Sequence, residues 1–307
     1  MIVCCGEALI DMLPRTTGNG EPAFSPYPGG AIFNTAIALG RLGVETGIFT
    51  GISSDLFGAM LLKALASSCV DARHVQRSDR PSTLAFVQLV DGQATYAFHD
   101  ENTAGRMLSE PDIPQFEDSV AALHFGGISL MSEPCGSTYE ALMVRERGRR
   151  VTMLDPNIRP DFVTEPARYR ARIRRMVAMA DIVKVSDEDL AWLAGDGTAD
   201  DHARRWLDLG PKLVIVTRGK DGAVGFSGDG FVAVPASPVH VVDTVGAGDT
   251  FNAGVLASLW RGGMLTKDGL ASLDEETVHE ALVLGARAAA VTVSRAGANP
   301  PWSSELD

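Results

Sequence analysis

The chain has no excess of positive charge. Against 27 Lys and Arg stand 39 Asp and Glu, a formal net charge of -12 over 307 residues. Such a surface repels a nucleic-acid backbone and an anionic membrane alike, so neither is an expected partner. A local basic pocket for one phosphate remains compatible with it. Cysteine is scarce. Cys4, Cys5, Cys69 and Cys135 form no C-x-x-C pair, and all four are expected to be small buried hydrophobes in a reducing compartment. The six histidines include no i, i+4 pair and no H-E-x-x-H, which argues against a transition-metal site. No basic segment precedes the first apolar residues, so these read as a strand rather than a leader. Every apolar run breaks well before ~20 residues, so no membrane span is expected and the protein should be cytoplasmic. No G-x-x-x-x-G-K-[ST] occurs, which excludes a P-loop kinase as far as a motif can.

What is present is a globular α/β pattern. Hydrophobic residues make up 45% and charged residues 21%, enough apolar matter for a large core. Strand-like runs at 1–7, 46–51, 121–125, 151–154, 182–185 and 213–217 alternate with helical patterns such as 31–42 and 56–67. That rhythm predicts a mainly parallel sheet with helices on both faces, and ligands beyond the C-terminal strand ends. Two strand-like runs, 83–90 and 94–100, interrupt it and meet at Asp91-Gly92, a hairpin signal. The Pro-, Gly- and Thr-rich stretch 13–28 has room for one or two more strands. Together these pieces predict a small antiparallel β lid, in segments about 12–28 and 82–104, inserted into one α/β domain spanning 1–307. It is expected to cover the site, to form a dimer interface, or both. A further hairpin is expected at 223–234, across Gly228-Asp229-Gly230.

The most informative stretch is Asp243-Thr-Val-Gly246-Ala247-Gly248-Asp249-Thr-Phe251. It follows the apolar run 239–242, taken as a strand, and opens a helical run over 250–260. Small residues Gly246, Ala247 and Gly248 leave backbone N–H groups bare at a helix start, where they can converge on an anion. That suits a transferring phosphoryl group. Asp249 at the mouth of the nest would repel a resting phosphate, but can take the proton of an attacking hydroxyl. A plainer reading, an acidic residue enjoying the helix dipole, stands beside it. A dinucleotide-binding turn competes too, although Phe251 replaces the third glycine of G-x-G-x-x-G.

Asp243 to Phe251 resembles the C-terminal motif of the ribokinase-like, or phosphofructokinase-B, sugar kinases. Gly29-Gly30-Ala31-Ile32-Phe33-Asn34-Thr35-Ala36, with Leu39-Gly40-Arg41-Leu42-Gly43, resembles their N-terminal motif. The likeness runs from Gly6-Glu7 to 294–298. It implies an ATP-dependent kinase with Asp249 as base and with Asp11, Gly29, Gly30 and Asn34 at the sugar. It places the nucleotide at Lys184, Ser186 and the turn Thr217-Arg218-Gly219-x-x-Gly222, with Gly246 and Gly248. It implies Mg²⁺ organised through water by Asp189, where the family usually has Glu, with Glu188 a solvated neighbour. It also implies K⁺ on backbone carbonyls near Asp243, Val245, Arg295 and Gly297.

Asp155-Pro156-Asn157-Ile158-Arg159 resembles the D-P-N-x-R segment of fructokinases and 2-keto-3-deoxygluconate kinases. It implies Asn157 at the substrate and Arg159 on the phosphoryl group or on an acid sugar's carboxylate. Residues 96–104 resemble the fructokinase lid segment, with Phe98 and Phe33 walling the sugar. The resemblance puts fructose first, the keto acid second, and adenosine or ribose behind. Two other classes stay open, a non-catalytic sugar or nucleotide sensor and a dinucleotide-dependent oxidoreductase.

Overall fold

A computed structural model describes residues 1–90, 93–228 and 230–306 of the chain. Its strands are Ile2–Cys5 (β1), Leu9–Thr16 (β2), Pro22–Gly29 (β3), Thr46–Phe49 (β4), Gly51–Ser53 (β5), Val70–Asp71 (β6), Gln76–Ser78 (β7), Leu84–Val90 (β8), Gln93–His99 (β9), Ala122–Gly126 (β10), Val151–Asp155 (β11), Ile182–Ser186 (β12), Leu213–Thr217 (β13), Ala223–Ser227 (β14) and Gly230–Val234 (β15). Its helices are Ala31–Arg41 (α1), Leu56–Ser67 (α2), Cys135–Glu146 (α3), Pro166–Val177 (α4), Asp187–Ala194 (α5), Ala199–Leu207 (α6), Ala247–Arg261 (α7), Lys267–Ala271 (α8) and Glu275–Val293 (α9).

Side chains alternate across a strand, so a sheet buried on both faces needs apolar residues at every position. The central strands meet that demand. Ile2 and Cys4 of β1 and Leu213 and Ile215 of β13 point into a core shared with α1, α2, α7 and α9. Val3, Cys5, Val214 and Val216 point into a second core under α3, α4 and α6. The nine strands run in the order β15-β14-β13-β12-β11-β10-β1-β4-β6. All neighbours are parallel except at the β13-β14-β15 edge, the expected hairpin; its Asp229 lies outside the described residues. Cys4, Cys5 and Cys135 are buried as expected, but Cys69 is exposed, because the turn after α2 carries it outward at φ 59°.

The chain builds outward from β1 through β4 and β6, then returns to the other flank of β1 with β10 and continues to β13. The reversal between β1 and β10 is a switch point, where connections on either side diverge and leave a crevice. Helix α7 is fixed beside it by close packing on α9. A Cβ at Gly254 would stand 2.6 Å from the Cα of Gly285, so only glycines allow this approach.

The small sheet runs β3-β2-β8-β9. Two antiparallel hairpins, β2-β3 and β8-β9, join through a short parallel ladder between 10–12 and 84–86. The Asp91-Gly92 turn lies outside the described residues. Strands β2 and β3 begin and end a little beyond the expected 12–28. Leu9, Ala85, Tyr96 and Phe98 pack with Ile128 and Phe162 of the body.

One expected strand is absent. Residues 239–242 are irregular, and Val239, Val241 and Val242 are exposed. The backbone there bonds to the end of α9 instead, Val242 and Asp243 N–H both donating to the Val293 carbonyl.

Candidate active site

A cleft of about 890 Å³ opens at the C-terminal ends of the parallel strands. Its walls come from the residues following β1, β10, β11, β12 and β13, from the start of α7, and from Asp11, Tyr96 and Phe98 of the small sheet.

At its floor Gly246 adopts a left-handed conformation, φ 77°, and ends the loop that feeds α7. Ala247, Gly248 and Asp249 form the first turn, where backbone N–H groups have no intrahelical partner. Asp249 is 6% exposed. Its carboxylate accepts from Asn34 Nδ2 at 2.9 Å and from Asn157 Nδ2 at 3.2 Å. Amide N–H groups can only donate, so they hold the carboxylate as an acceptor and fix its plane. Burial pushes its pKa up to about 7, against the Asn34 hydrogen bond, which pulls it down. Asn34 is buried rather than solvated. Asn157 sits at φ 42°, rare for a residue with a side chain, and Arg159 Nη1 donates to its Oδ1 at 2.7 Å. Asn34, Asn157, Arg159 and Asp249 thus form one constellation from three distant parts of the chain. The helix-dipole reading does not account for these contacts.

Lys184 at the end of β12 reaches the same helix start. A Cβ on Gly248 would stand 3.1 Å from its Nζ. The ammonium is paired with Asp155 at 3.0 Å, and both side chains are buried. Ser186 and Asp189 line the cleft next to it, Ser186 capping α5 by accepting from the Asp189 N–H. Burial pushes the Asp189 pKa up to about 6, helped by the Asp155 charge and opposed by Lys184. Glu188 is exposed on the cleft rim.

One end of the cleft is bounded by Asp11, Gly30, Arg159, Tyr96 and Phe98. Gly29 does not line the cleft. A Cβ there would lie 2.1 Å from Asp11 Oδ2, so Gly29 makes room for that carboxylate. Burial pushes the Asp11 pKa up to about 6, with the Arg159 guanidinium pulling it back. Arg159 lies 6.0 Å over the Tyr96 ring, which stacks on Phe98 with centroids 5.8 Å apart. Phe33 does not wall the cleft. It is 1% exposed and packs in the core, because one step along α1 turns a side chain by about 100° and Asn34 takes the cleft side. Tyr96, two residues before Phe98 on β9, stands in the cleft instead. That spacing on a strand was the available signal. Glu7, also unassigned from sequence, accepts from the Ala31 N–H at 2.9 Å and the Ser129 N–H at 3.3 Å. It fastens the start of α1 across the switch point.

The other end continues into a second cavity of about 520 Å³, sharing Thr217, Gly219, Ala247 and Gly248 with the first. Gly222 lines it, together with Pro238, Val239, Val241, Phe251, Ala286, Ala289, Ala290 and Val293, none singled out as site residues from sequence except as motif neighbours. This explains the exposed valines of 239–242: they wall a cavity rather than extend a sheet. Arg218 is not brought in. Its guanidinium pairs with Asp200 on α6.

The Asp243 carboxylate accepts from the Val245 N–H at 3.0 Å and the Gly297 N–H at 2.8 Å, locking the loop before α7 to the one after α9. Among the described residues, the carbonyls of Asp243, Val245 and Arg295 take no backbone hydrogen bond, while that of Gly297 accepts from Asn299. Unbonded carbonyl oxygens of this kind are the donor type a monovalent cation takes. No three His, Cys, Asp or Glu side chains gather as a metal cage among the described residues. No helix among them is long and apolar enough to cross a membrane. The turn at Gly246 follows an irregular segment, not a strand, and a buried carboxylate stands in it. Both features disfavour the dinucleotide-binding reading.

Residues 1–305 match the family described as pfkB family carbohydrate kinase. The chain is 58% identical over 279 residues to a fructokinase of Rhizobium leguminosarum bv. trifolii, covering 91% of this chain and 86% of that one. Among solved structures, a fructokinase with bound ATP from Xylella fastidiosa matches with a TM-score of 0.89 at 27% identity, covering 99% and 96%. A fructokinase from Vibrio cholerae O395 with fructose, ADP and calcium ion matches with a TM-score of 0.85 at 27% identity, covering 97% and 94%.

Proposed function

The chain belongs to the pfkB family of carbohydrate kinases, and from that premise we propose that it is a fructokinase transferring the γ-phosphate of ATP to fructose. The observation that carries the reading is Asp249. This buried carboxylate stands between a polar sugar end and an apolar nucleotide end of one continuous cleft.

Fructose sits under Tyr96 and Phe98, its hydroxyls on Asp11, Gly30 and Asn34, with the 6-hydroxyl at Asp249. Its oxygen bonds to the γ-phosphorus, the bond from that phosphorus to the β–γ bridging oxygen breaks, and ADP leaves. Asp249 takes the hydroxyl proton, and a carboxylate held near neutral pKa is suited to do so late in a loose transition state. The Gly246–Asp249 N–H groups and Lys184 meet the charge on the transferring group, and Arg159 assists from the sugar side. The adenine lies in the apolar cavity beyond Thr217, Gly219 and Gly222. Asp189 is positioned to hold Mg²⁺ through water, and that ion would neutralise phosphate charge during transfer. K⁺ fits the carbonyls of Asp243, Val245 and Arg295, with Gly297 completing the loop. The four-stranded sheet is read as a lid that excludes water. With exposed Phe24 on it, a second copy is assigned there, checked by a dimer mass in light scattering. We propose the cytoplasm as its location, where ATP is available as the donor.

ADP release with Mg-ATP and K⁺ tests the proposal against fructose, 2-keto-3-deoxygluconate, ribose, adenosine and glucose. Turnover on fructose well above the rest is expected. Preference for the keto acid would reassign Arg159 to its carboxylate. Silence on all sugars would favour a sensor.

A further inference from the structure

The D-P-N-x-R segment begins with a carboxylate that the reaction above does not use. Asp155 closes β11 and is 2% exposed. Its Oδ2 accepts from Lys184 Nζ at 3.0 Å and from Asn252 Nδ2 at 2.7 Å. Among the described residues its Oδ1 has no partner, and neither does Asn252 Oδ1. Asn252 belongs to the first turns of α7, one residue after Phe251, so the carboxylate ties the end of β12 to the helix that carries the nest.

A lysine ammonium on a four-carbon stem is a mobile charge, and burying it without a counter-charge favours its neutral form. Asp155 supplies that counter-charge and holds the Lys184 Nζ against Gly248. An ammonium has three donors. Among the described residues Asp155 is its hydrogen-bond partner, so two donors remain for an anion at the helix start. We propose that Asp155, fixed by Asn252, is a positioning residue that acts through Lys184 to present a buried positive charge to the transferring phosphoryl group. The inference rests on reading the nest as the phosphoryl site.

The ionisable groups around Lys184 are His124 on β10, Asp155 on β11, Asp189 on α5 and Asp249 on α7. Burial holds the His124 pKa down at about 4, so it stays neutral near pH 7. With Asp155 neutralised, Lys184 keeps only the more distant acids and loses the partner that fixes its Nζ at the helix start.

The test is a double-mutant cycle on the full chain with fructose and Mg-ATP. Asp155→Asn and Lys184→Met should each lower kcat about 100-fold, the scale of losing one transition-state donor. The double variant should be no worse than about 100-fold, against about 10,000-fold if the two acted independently. Asp155→Asn should lower kcat while KM for fructose stays within about twofold of wild type, a split that a general loss of packing would not give. If Asp155→Asn does not fold, Asn252→Ala replaces it, with a smaller loss that Lys184→Met should likewise abolish. Additive losses, a rise in KM for fructose matching the fall in kcat, or a Lys184→Met variant of normal turnover would each overturn the proposal. Wild-type turnover on fructose in the same assay checks the kinase reading on its own.

Discussion

The two ends of the cleft are built by different physics. The end proposed for the sugar is polar and directional: Asp11, Asn34, Asn157 and Asp249 offer acceptors and donors at fixed angles, and Tyr96 and Phe98 close the side. The end proposed for the nucleotide is a cavity shaped by small and apolar side chains on α7 and α9 and by the irregular valine segment. The polar end needs particular residues, because a missing hydrogen-bond partner in a buried site is costly. The apolar end needs only volume, which many combinations of alanine, valine and glycine supply. Substitutions at the first should therefore strike the chemical step, and substitutions at the second should strike ATP affinity alone.

The largest effect is expected at the polar end. Asp249→Asn should lower kcat about 1,000-fold, within the range of a lost general base, while calorimetry shows ATP binding within about twofold of wild type, since no nucleotide-cavity contact is lost. Loss of both together would erase the distinction between the ends. Filling the apolar end comes next. Ala290→Trp should raise KM for ATP at least about tenfold, the equivalent of ~1.4 kcal/mol of overpacking, with KM for fructose unchanged. A matching rise for fructose would mean that the two cavities act as one. The smallest effect is expected at the lid. Phe98→Ala should raise KM for fructose about fivefold, the scale of one aromatic contact. Steady-state kinetics varying each substrate in turn reads both changes.

The same contrast explains what was legible in the sequence. Gly246, Gly248 and Asp249 could be read because a bare helix start and an acid in one turn are a local pattern. The pairing of Asp249 with Asn34 and Asn157 could not, because it depends on β11 and α1 arriving beside α7 from far along the chain. The alternation of strands and helices gave the sheet and both hairpins, since buried parallel strands must be apolar throughout. It misread 239–242, where valines serve a cavity instead of a ladder. It put Phe33 in place of Tyr96, since one step along α1 turns a side chain by about 100° and nothing local says which neighbour faces the cleft. Arg218 was placed by its turn, but a long side chain goes where its counter-charge is, here Asp200. The small sheet was legible as one hairpin and room for one or two strands at 13–28, yet its parallel join between β2 and β8 left no mark in either.

The most direct test of the account is the pH dependence of kcat/KM for fructose at saturating Mg-ATP. Burial raises the Asp249 pKa to about 7, and a base works only when deprotonated, so the sign is fixed: activity should fall with unit slope below about pH 7 and level off above it. A profile flat from pH 5.5 to 8, in an enzyme that stays folded across that range, would contradict the assignment of Asp249 as the base.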